Sequence, residues 1–145
     1  MRIVHIITGL NDGGAENTLF KICKYDIENE HIVISFKISG KYYSLLNKIG
    51  VKVYSLDATF YSINKFYFLI KLLKFLKPKI VQTWLVHADF IGGIAARLAG
   101  IKNIIWNIRY SNLEIKKTKI TTIIILKILK ILSFFIPQYI VVNSK

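Results

Sequence analysis

Short apolar runs alternate with longer amphipathic segments along the chain. The first run, residues 2–8, is almost continuously apolar, which is typical of a strand buried on both faces of a parallel sheet. Five later runs predict strands in the same way. They cover residues 31–36, 51–56, 80–84, 103–108 and 139–142.

Between these runs, apolar residues recur at helical spacing. Helices are predicted over residues 15–25, about 43–48, 62–76, 87–99 and about 117–136. Ser62 can cap the third helix, Pro78 stops it, and Gly100 closes the fourth. This alternation of strand and helix predicts an α/β fold with a doubly wound parallel sheet and helices on both faces.

The composition indicates one folded domain. A chain of 145 residues has room for a single domain, residues 1–145, and not for two complete substrate domains. The 53% share of hydrophobic residues and the mean hydropathy of +0.43 exclude a disordered chain. Cys23 is the single cysteine, so no internal disulfide forms, and no secretory leader pattern opens the sequence. We therefore expect a reducing, cytoplasmic setting.

The formal net charge is +13, from 21 Lys and Arg against 8 Asp and Glu. Such an imbalance implies an anionic partner, which is a phospholipid, a phosphorylated ligand or a nucleic acid. The base composition of the source genome can also enrich lysine and isoleucine. Both interpretations of the charge stay open.

Ligands of open α/β sheets bind beyond the carboxyl ends of the strands. The loops that follow four predicted strands should therefore meet at one edge of the sheet. They are residues 9–14, 84–89, 107–112 and 143–144.

In the first of these loops, Gly13 and Gly14 allow close approach of a ligand to the backbone, and the following helix offers free N–H groups to a phosphate. The glycine spacing excludes a dinucleotide fingerprint, and Ala15-Glu16 excludes a Walker A loop. The alternative is a tight turn in which Glu16 merely complements the helix terminus.

Three residues near the ends of the fourth and fifth strands are candidate catalytic groups. His87 and Asp89 can bind sugar hydroxyls or transfer a proton, or one of them can simply cap the helix that follows while Trp84 lies in the core. Arg109 can bind a phosphate or carboxylate through two parallel hydrogen bonds, or it can pair with a nearby acid.

No metal site is expected from the sequence. His5 is interpreted as a hydrogen-bonded core histidine and His31 as a residue at a strand entrance, and neither belongs to a set with metal-ligand spacing. The single cysteine excludes a thiolate zinc site. The only D-x-D-like string, residues 26–28, lies in a polar turn away from the ligand edge.

Two predicted helices are both basic and apolar. Residues 120–136 are apolar enough to suggest a membrane span, but Lys127 and Lys130 oppose insertion by roughly the 6 kcal/mol that the apolar residues contribute. The segment is also shorter than the ~20 residues of a span. Lys71 and Lys74 repeat the pattern in the earlier helix. Packing on the sheet and contact with anionic lipid, with these four lysines outward, are both open.

Four segments carry a resemblance to a known family. Residues 8–16 read Thr-Gly-Leu-Asn-Asp-Gly-Gly-Ala-Glu and are followed by Leu19. Residues 84–100 end in Ala-Ala-Arg-Leu-Ala-Gly, residues 105–109 read Ile-Trp-Asn-Ile-Arg, and residues 139–144 read Tyr-Ile-Val-Val-Asn-Ser. Together these segments resemble the N-terminal domain of glycosyltransferase family 4 (group 1), over nearly the whole chain.

The resemblance implies one half of a GT-B architecture, in which two Rossmann-like domains divide the acceptor and the nucleotide sugar between them. Gly13 and Gly14 would then lie by the donor diphosphate. Many family members have a histidine after the fifth strand, where this chain has Arg109. The candidate acceptor-side residues are Asn11, Asp12, Trp84, Asn107 and Ser111.

The implied activity is transfer of a hexose, with retention, from a nucleotide-diphosphate sugar without a metal. The implied acceptor is lipid-linked or a cell-surface glycan such as lipopolysaccharide or capsule, at the inner face of the cytoplasmic membrane. The acidic donor motif of the second domain has no counterpart here, so the C-terminal donor domain is absent from the sequence and is expected as a partner in cis or in trans.

Two other functions stay open. One is a non-catalytic module, or split subunit, that binds the acceptor and docks on the membrane. The other is a basic nucleic-acid binder, which is disfavoured because the lysines alternate with Ile and Leu and no stacking-aromatic or recognition-helix motif is present.

Overall fold

The computed structural model describes residues 1–38, 40–57, 62–108 and 120–142. The strands are β1 Arg2–Ile7, β2 Glu30–Ser35, β3 Lys52–Ser55, β4 Ile80–Trp84, β5 Ile104–Ile108 and β6 Tyr139–Val142. The helices are α1 Gly14–Tyr25, α2 Lys41–Lys48, α3 Ile63–Leu76, α4 Val86–Leu98 and α5 Ile120–Leu132.

All six strands belong to one parallel sheet with the order β3-β2-β1-β4-β5-β6. This arrangement confirms the predicted doubly wound class. The order runs outward from β1 to β3 on one side and from β4 to β6 on the other. The junction of β1 and β4 is therefore the topological switch point, where open α/β sheets form a ligand crevice.

Helices cover both faces of the sheet. The apolar residues of α3, α4 and α5 pack on one face, where they meet Val4 and Ile6 of β1. Those of α1 and α2 pack on the other face, where they meet Ile7. Because side chains of a strand alternate between the faces, β1 contributes to both cores and is buried in its second half.

Helix α4 packs closely on the sheet at two of its glycines. A Cβ on Gly92 would lie 3.0 Å from Ile6, and a Cβ on Gly93 would lie 2.8 Å from the indole nitrogen of Trp106. Side chains at these positions would push the helix outward. The small-residue character of this predicted helix thus reflects its close packing.

The ends of the long helices follow their local sequence. Helix α3 ends at Leu76, before Pro78, as predicted. Lys77, between them, adopts a left-handed conformation with φ +45°. Helix α5 ends at Leu132, four residues before the predicted end. Residues 133–135 form turns instead, and they lead Ile136 back into the core.

Candidate functional site

The loops after β1 and β4 flank the switch point, as expected from the parallel sheet. The loop after β1 is described in full. Arg109, Ser111 and residues 143–144 lie outside the described residues, and the roles predicted for them remain predictions.

The N-terminus of α1 opens toward the ligand edge. Gly13 is the N-cap residue and provides no side-chain cap, while Gly14 is exposed and a Cβ there would meet no atom within 4 Å. The first N–H groups of a helix have no partner within the helix, so they are available to an anion here. Glu16 lies directly against Gly13 in the same turn. The carboxylate thus complements the helix terminus, as the alternative interpretation predicted, beside an open approach at Gly14.

The N-terminus of α2 supports the loop after β1. The backbone N–H of Tyr42 donates to the carbonyl of Leu10 over 2.9 Å. Gly40 makes this approach possible, because its φ is +147° and a Cβ would collide with the Leu10 carbonyl. No local sequence signal identified this contact.

The loop after β1 also carries an ion pair with α2. Lys41 Nζ donates to Asp12 Oδ2 over 2.9 Å, and this hydrogen bond raises the pKa of Lys41. Both side chains are exposed, as is Asn11. Asn11 and Asp12 are therefore accessible at the edge, and Asp12 is already paired.

Backbone strain marks the end of β4. Leu85, the N-cap residue of α4, has φ +75° and ψ 151°. This region is almost restricted to glycine, and another residue there costs roughly 1–3 kcal/mol. Such strain is concentrated at functional sites, and here it lies at the switch point.

His87 and Asp89 point to different surroundings. His87 is half-buried and borders a groove of about 300 Å³ between α4 and α5, otherwise lined mainly by isoleucines. Asp89 is fully buried, and its Oδ1 accepts a 2.6 Å hydrogen bond from Thr83. Burial raises the pKa of Asp89 to about 7, although the Thr83 bond acts in the opposite direction. The two predicted catalytic candidates do not form a pair.

Two predicted acceptor contacts are not supported. Trp84 is fully buried in the core beneath α1 and α2. Asn107 is 2% exposed, and its Nδ2 donates to the carbonyl of Thr83 over 3.1 Å. Neither side chain reaches the ligand edge, because both face inward from their strands.

A buried polar network links β1, β2 and β4. Trp84 Nε1 lies 3.3 Å from His5 Nδ1, and His5 Nε2 lies 2.9 Å from His31 Nδ1. The far nitrogen of His31 lies 3.2 Å from Asp26 Oδ2 at the end of α1. Burial, and then the neighbouring His31, lowers the pKa of His5 to about 3, so His5 is neutral at pH 7. This arrangement confirms the interpretation of His5 as a hydrogen-bonded core residue.

The same network contains a group that sequence spacing did not reveal. One ligand atom each from His5, Cys23 and His31 lies within 4.8 Å of the others. The two histidines and the cysteine therefore meet in space although they are far apart in the sequence, and the expectation of no metal site stays a prediction. Because an indole N–H only donates, the contact with Trp84 places the His5 proton on Nε2, facing His31. Burial also raises the pKa of Cys23 to about 12, which keeps it a thiol.

The predicted outward lysines are exposed. Lys71 and Lys74 lie on the outer face of α3, and Lys127 and Lys130 lie on α5. Large exposed apolar side chains accompany them: Tyr67, Phe68 and Phe75 on α3, and Ile124, Ile128 and Ile131 on α5. Within the described ranges, no helix has the length and apolar content needed to cross a membrane.

Comparison with known proteins identifies the fold. No protein-family model matches the sequence, and no curated protein matches it significantly. The structure of HepE from Anabaena with UDP and glucose superposes with a TM-score of 0.78 at 19% identity, over 99% of this chain and 38% of HepE. MurG from Acinetobacter baumannii gives a TM-score of 0.70 at 14% identity, over 99% of this chain and 41% of MurG.

The chain has a GT-B glycosyltransferase-like fold. The UDP-N-acetylglucosamine 2-epimerase of Rickettsia bellii is also similar, with a TM-score of 0.60 at 16% identity, over 100% of this chain and 39% of the epimerase. The chain thus spans about two fifths of the length of each of these proteins. At such identities the likeness establishes the fold alone.

Proposed function

We propose that the chain is the N-terminal, acceptor-side half of a sugar-nucleotide glycosyltransferase of family 4. The observation that carries this proposal is the open turn at Gly13 and Gly14, which lies at the switch point and presents the N-terminus of α1. The turn suits a donor diphosphate. HepE, which shares the fold, is known in complex with UDP-glucose, and the family signature of residues 8–16 falls on the same loop.

The proposed reaction replaces the nucleotide diphosphate on the anomeric carbon of a hexose with an acceptor hydroxyl, with retention and without a metal. A second domain, in cis or in trans, holds most of the nucleotide sugar. The described edge offers Asn11 and His87 as accessible polar groups for the acceptor. Arg109 and Ser111 are proposed to join them.

The test is sugar transfer from a labelled UDP-sugar, measured for the chain alone and for the chain supplied with a GT-B donor domain. Turnover is expected only when the donor domain is present. Turnover by the chain alone would overturn the division of labour, and turnover by neither preparation, with a panel of donors, would overturn the proposed activity.

We further propose that the acceptor is lipid-linked and that the protein works at the inner face of the cytoplasmic membrane. Exposed aromatic residues and lysines share the outer surface of α3, and the Lys71 ammonium lies 4.7 Å from the ring centroid of Tyr67. In peripheral membrane binding, apolar side chains typically enter the membrane interface while neighbouring lysines contact the lipid headgroups.

Flotation with vesicles tests this location. The chain should float with vesicles that contain phosphatidylglycerol, and less with phosphatidylcholine alone or at high salt. The Lys71→Glu and Lys74→Glu double variant should reduce flotation. The matched control is Lys21→Glu with Lys24→Glu, the same spacing and charge change on exposed positions of α1. Equal loss in both double variants would show a response to net charge and contradict an α3 surface.

A further inference from the structure

A cavity of about 240 Å³ lies between α4, α5, β5 and β6, apart from the loop after β1. Apolar side chains form most of its wall, including Val86, Ile108, Leu126 and Leu129. Four residues with polar groups also border it, and they are Asp89, Trp106, Lys130 and Ser133. Nothing in the proposed donor site accounts for this space.

Two buried polar atoms of the cavity residues have no hydrogen-bond partner among the residues that the structure describes. They are Oδ2 of Asp89 and Nε1 of Trp106, and their side chains are 0% and 1% exposed. Thr83 occupies only the other oxygen of Asp89. Buried polar groups are almost always paired, so two unpaired atoms in residues that line one cavity indicate a missing partner.

The positions of both groups are fixed by packing. The indole of Trp106 packs against α4 at Gly93, where a side chain would collide with Trp106 Nε1. Asp89 lies one turn earlier on the same helix, held by Thr83 of β4. The two groups are therefore arranged before any ligand arrives.

The chemistry of the two atoms selects the ligand. An indole N–H only donates, so it requires an acceptor, whereas the free carboxyl oxygen accepts a hydrogen bond when Asp89 is ionised and can donate one when it is protonated. A hydroxyl group satisfies the indole and either form of the carboxyl. A bare anion would meet the Asp89 carboxyl, and an ammonium group would meet an N–H that cannot accept. Apolar walls suit the C–H faces of a ring, and a volume below the usual ~300–1,000 Å³ of ligand pockets suits a single ring.

We propose that this cavity binds one hydroxylated ring, the terminal sugar of the acceptor, through Asp89 and Trp106. The assignment rests on the proposed transferase function, which it refines by locating the acceptor sugar. Lys130 borders the cavity with an exposed side chain, so its charge suits a phosphate attached to that sugar.

Nuclear magnetic resonance of the ¹⁵N-labelled 145-residue chain tests the proposal. The chain has two tryptophans, whose indole N–H signals are assigned with Trp84→Phe and Trp106→Phe. Titration with the methyl glycosides of glucose, galactose and N-acetylglucosamine should move the Trp106 signal saturably for at least one sugar and leave the Trp84 signal in place. A Trp106 signal that responds to none of them overturns the proposal and leaves a cavity that holds only water.

Variants separate binding from folding. Asp89→Asn should weaken binding at least tenfold, whereas Asp57→Asn, an exposed control, should leave it unchanged. If Asp89→Asn does not fold, Ser133→Leu fills the cavity from the turn after α5 without altering either polar group and should abolish the response. Glucose 1-phosphate should bind more tightly than methyl glucoside, and Lys130→Ala should remove that difference. Unchanged sugar affinity in folded Asp89→Asn or Ser133→Leu overturns the proposal.

These binding measurements need neither a donor sugar nor a donor domain. The proposed transferase activity and the proposed sugar cavity can therefore fail separately. Sugar binding at Trp106 without transfer in the two-domain assay would overturn the proposed activity alone. Transfer without any response of Trp106 would overturn the cavity assignment alone.

Discussion

Trp84 directs its indole N–H at Nδ1 of His5 over 3.3 Å and so ties β4 to β1 at the place where the strand order reverses. Because the indole can only donate, this contact sets the His5 tautomer and, through it, the acceptor nitrogen of His31. The switch point is thus held by a directed polar contact as well as by the strand ladder.

The two tryptophans should respond differently to loss of their N–H groups. Trp84→Phe leaves His5 Nδ1 buried without a donor, which should lower the free energy of unfolding by about 1–3 kcal/mol beyond the lost packing. Trp106→Phe removes an N–H that has no partner among the described residues, so the free energy of unfolding should fall less. Urea unfolding of both variants measures the difference, and an equal loss would contradict the hydrogen bond to His5.

Two buried groups should change the free energy of unfolding with pH in opposite directions. The pKa of His5 falls from 6.5 to about 3 on folding, so its contribution is complete above pH 6.5 and is lost as the pH falls toward 3. The pKa of Asp89 rises from 3.8 to about 7, so its contribution is complete below pH 3.8 and is lost as the pH rises toward 7. Each group alone gives a slope of about 1.4 kcal/mol per pH unit.

Between pH 3.8 and 6.5 these two slopes oppose each other, and removing one group should expose the other. Relative to the unchanged chain, Asp89→Asn should lose stability on acidification and His5→Gln should gain it. Thermal unfolding at several pH values measures both differences. Parallel curves for all three proteins would contradict the two buried pKa shifts.

Gly40 should tolerate no side chain. Gly40→Ala combines a positive φ with a collision against the Leu10 carbonyl, so we expect a loss of roughly 3 kcal/mol or more. Gly50→Ala is the matched control, since its φ is +80° and a Cβ would meet no atom within 4 Å. It should lose only about 1–2 kcal/mol. Similar losses in denaturant unfolding would argue against the close approach of α2 to the first loop.

The end of α3 offers a stabilising substitution. Lys77 is left-handed, with φ 45° and ψ 53°, which costs a side-chain-bearing residue roughly 1–2 kcal/mol. Lys77→Gly should therefore raise stability by roughly 0.5–1 kcal/mol after the greater freedom of glycine in the unfolded chain is counted. The same change one turn earlier, Lys74→Gly, should cost about 1 kcal/mol. Calorimetry should show melting temperatures that move in opposite directions.

Gly14 should separate stability from function. Gly14→Ala places a methyl group in open space at the first turn of α1, so stability should stay the same or rise by up to about 1 kcal/mol. If the donor diphosphate contacts this backbone, UDP-glucose binding to the chain with its donor domain should weaken. Lys24→Ala, at the far end of α1, is the control for calorimetric titration. Unchanged binding in Gly14→Ala would remove the glycine turn from the donor site.

The element order followed from the sequence because the local signals are strong. Ser62 and Pro78 bracket α3, and the apolar runs match all six strands to within two residues. The inward position of Trp84 was one of two open interpretations, because side chains of a strand alternate between its two faces and the sequence alone does not show which of them the fold covers. Thr83 faces α4 and Asp89, while Trp84 faces His5 on the other side of the sheet.

Long-range contacts set the rest of the candidate site. His5 and His31 meet because β1 and β2 pair with Ile3 opposite His31, which places His5 two residues further along on the same face. Gly40 meets Leu10 across a separation of thirty residues, and the two partnerless atoms of the cavity come from α4 and β5. Such pairings depend on register and helix phase, which short sequence patterns do not encode.

Strand β6 has a practical consequence for handling the protein. All four of its residues are exposed, and among the described strands it pairs only with β5. Its outer backbone groups can form hydrogen bonds with the same strand of another molecule, and burial of its apolar side chains would stabilise that pairing. Concentrated solutions of these 145 residues should therefore form oligomers that extend outward from β6, so dilute storage will preserve the sample better than crowding.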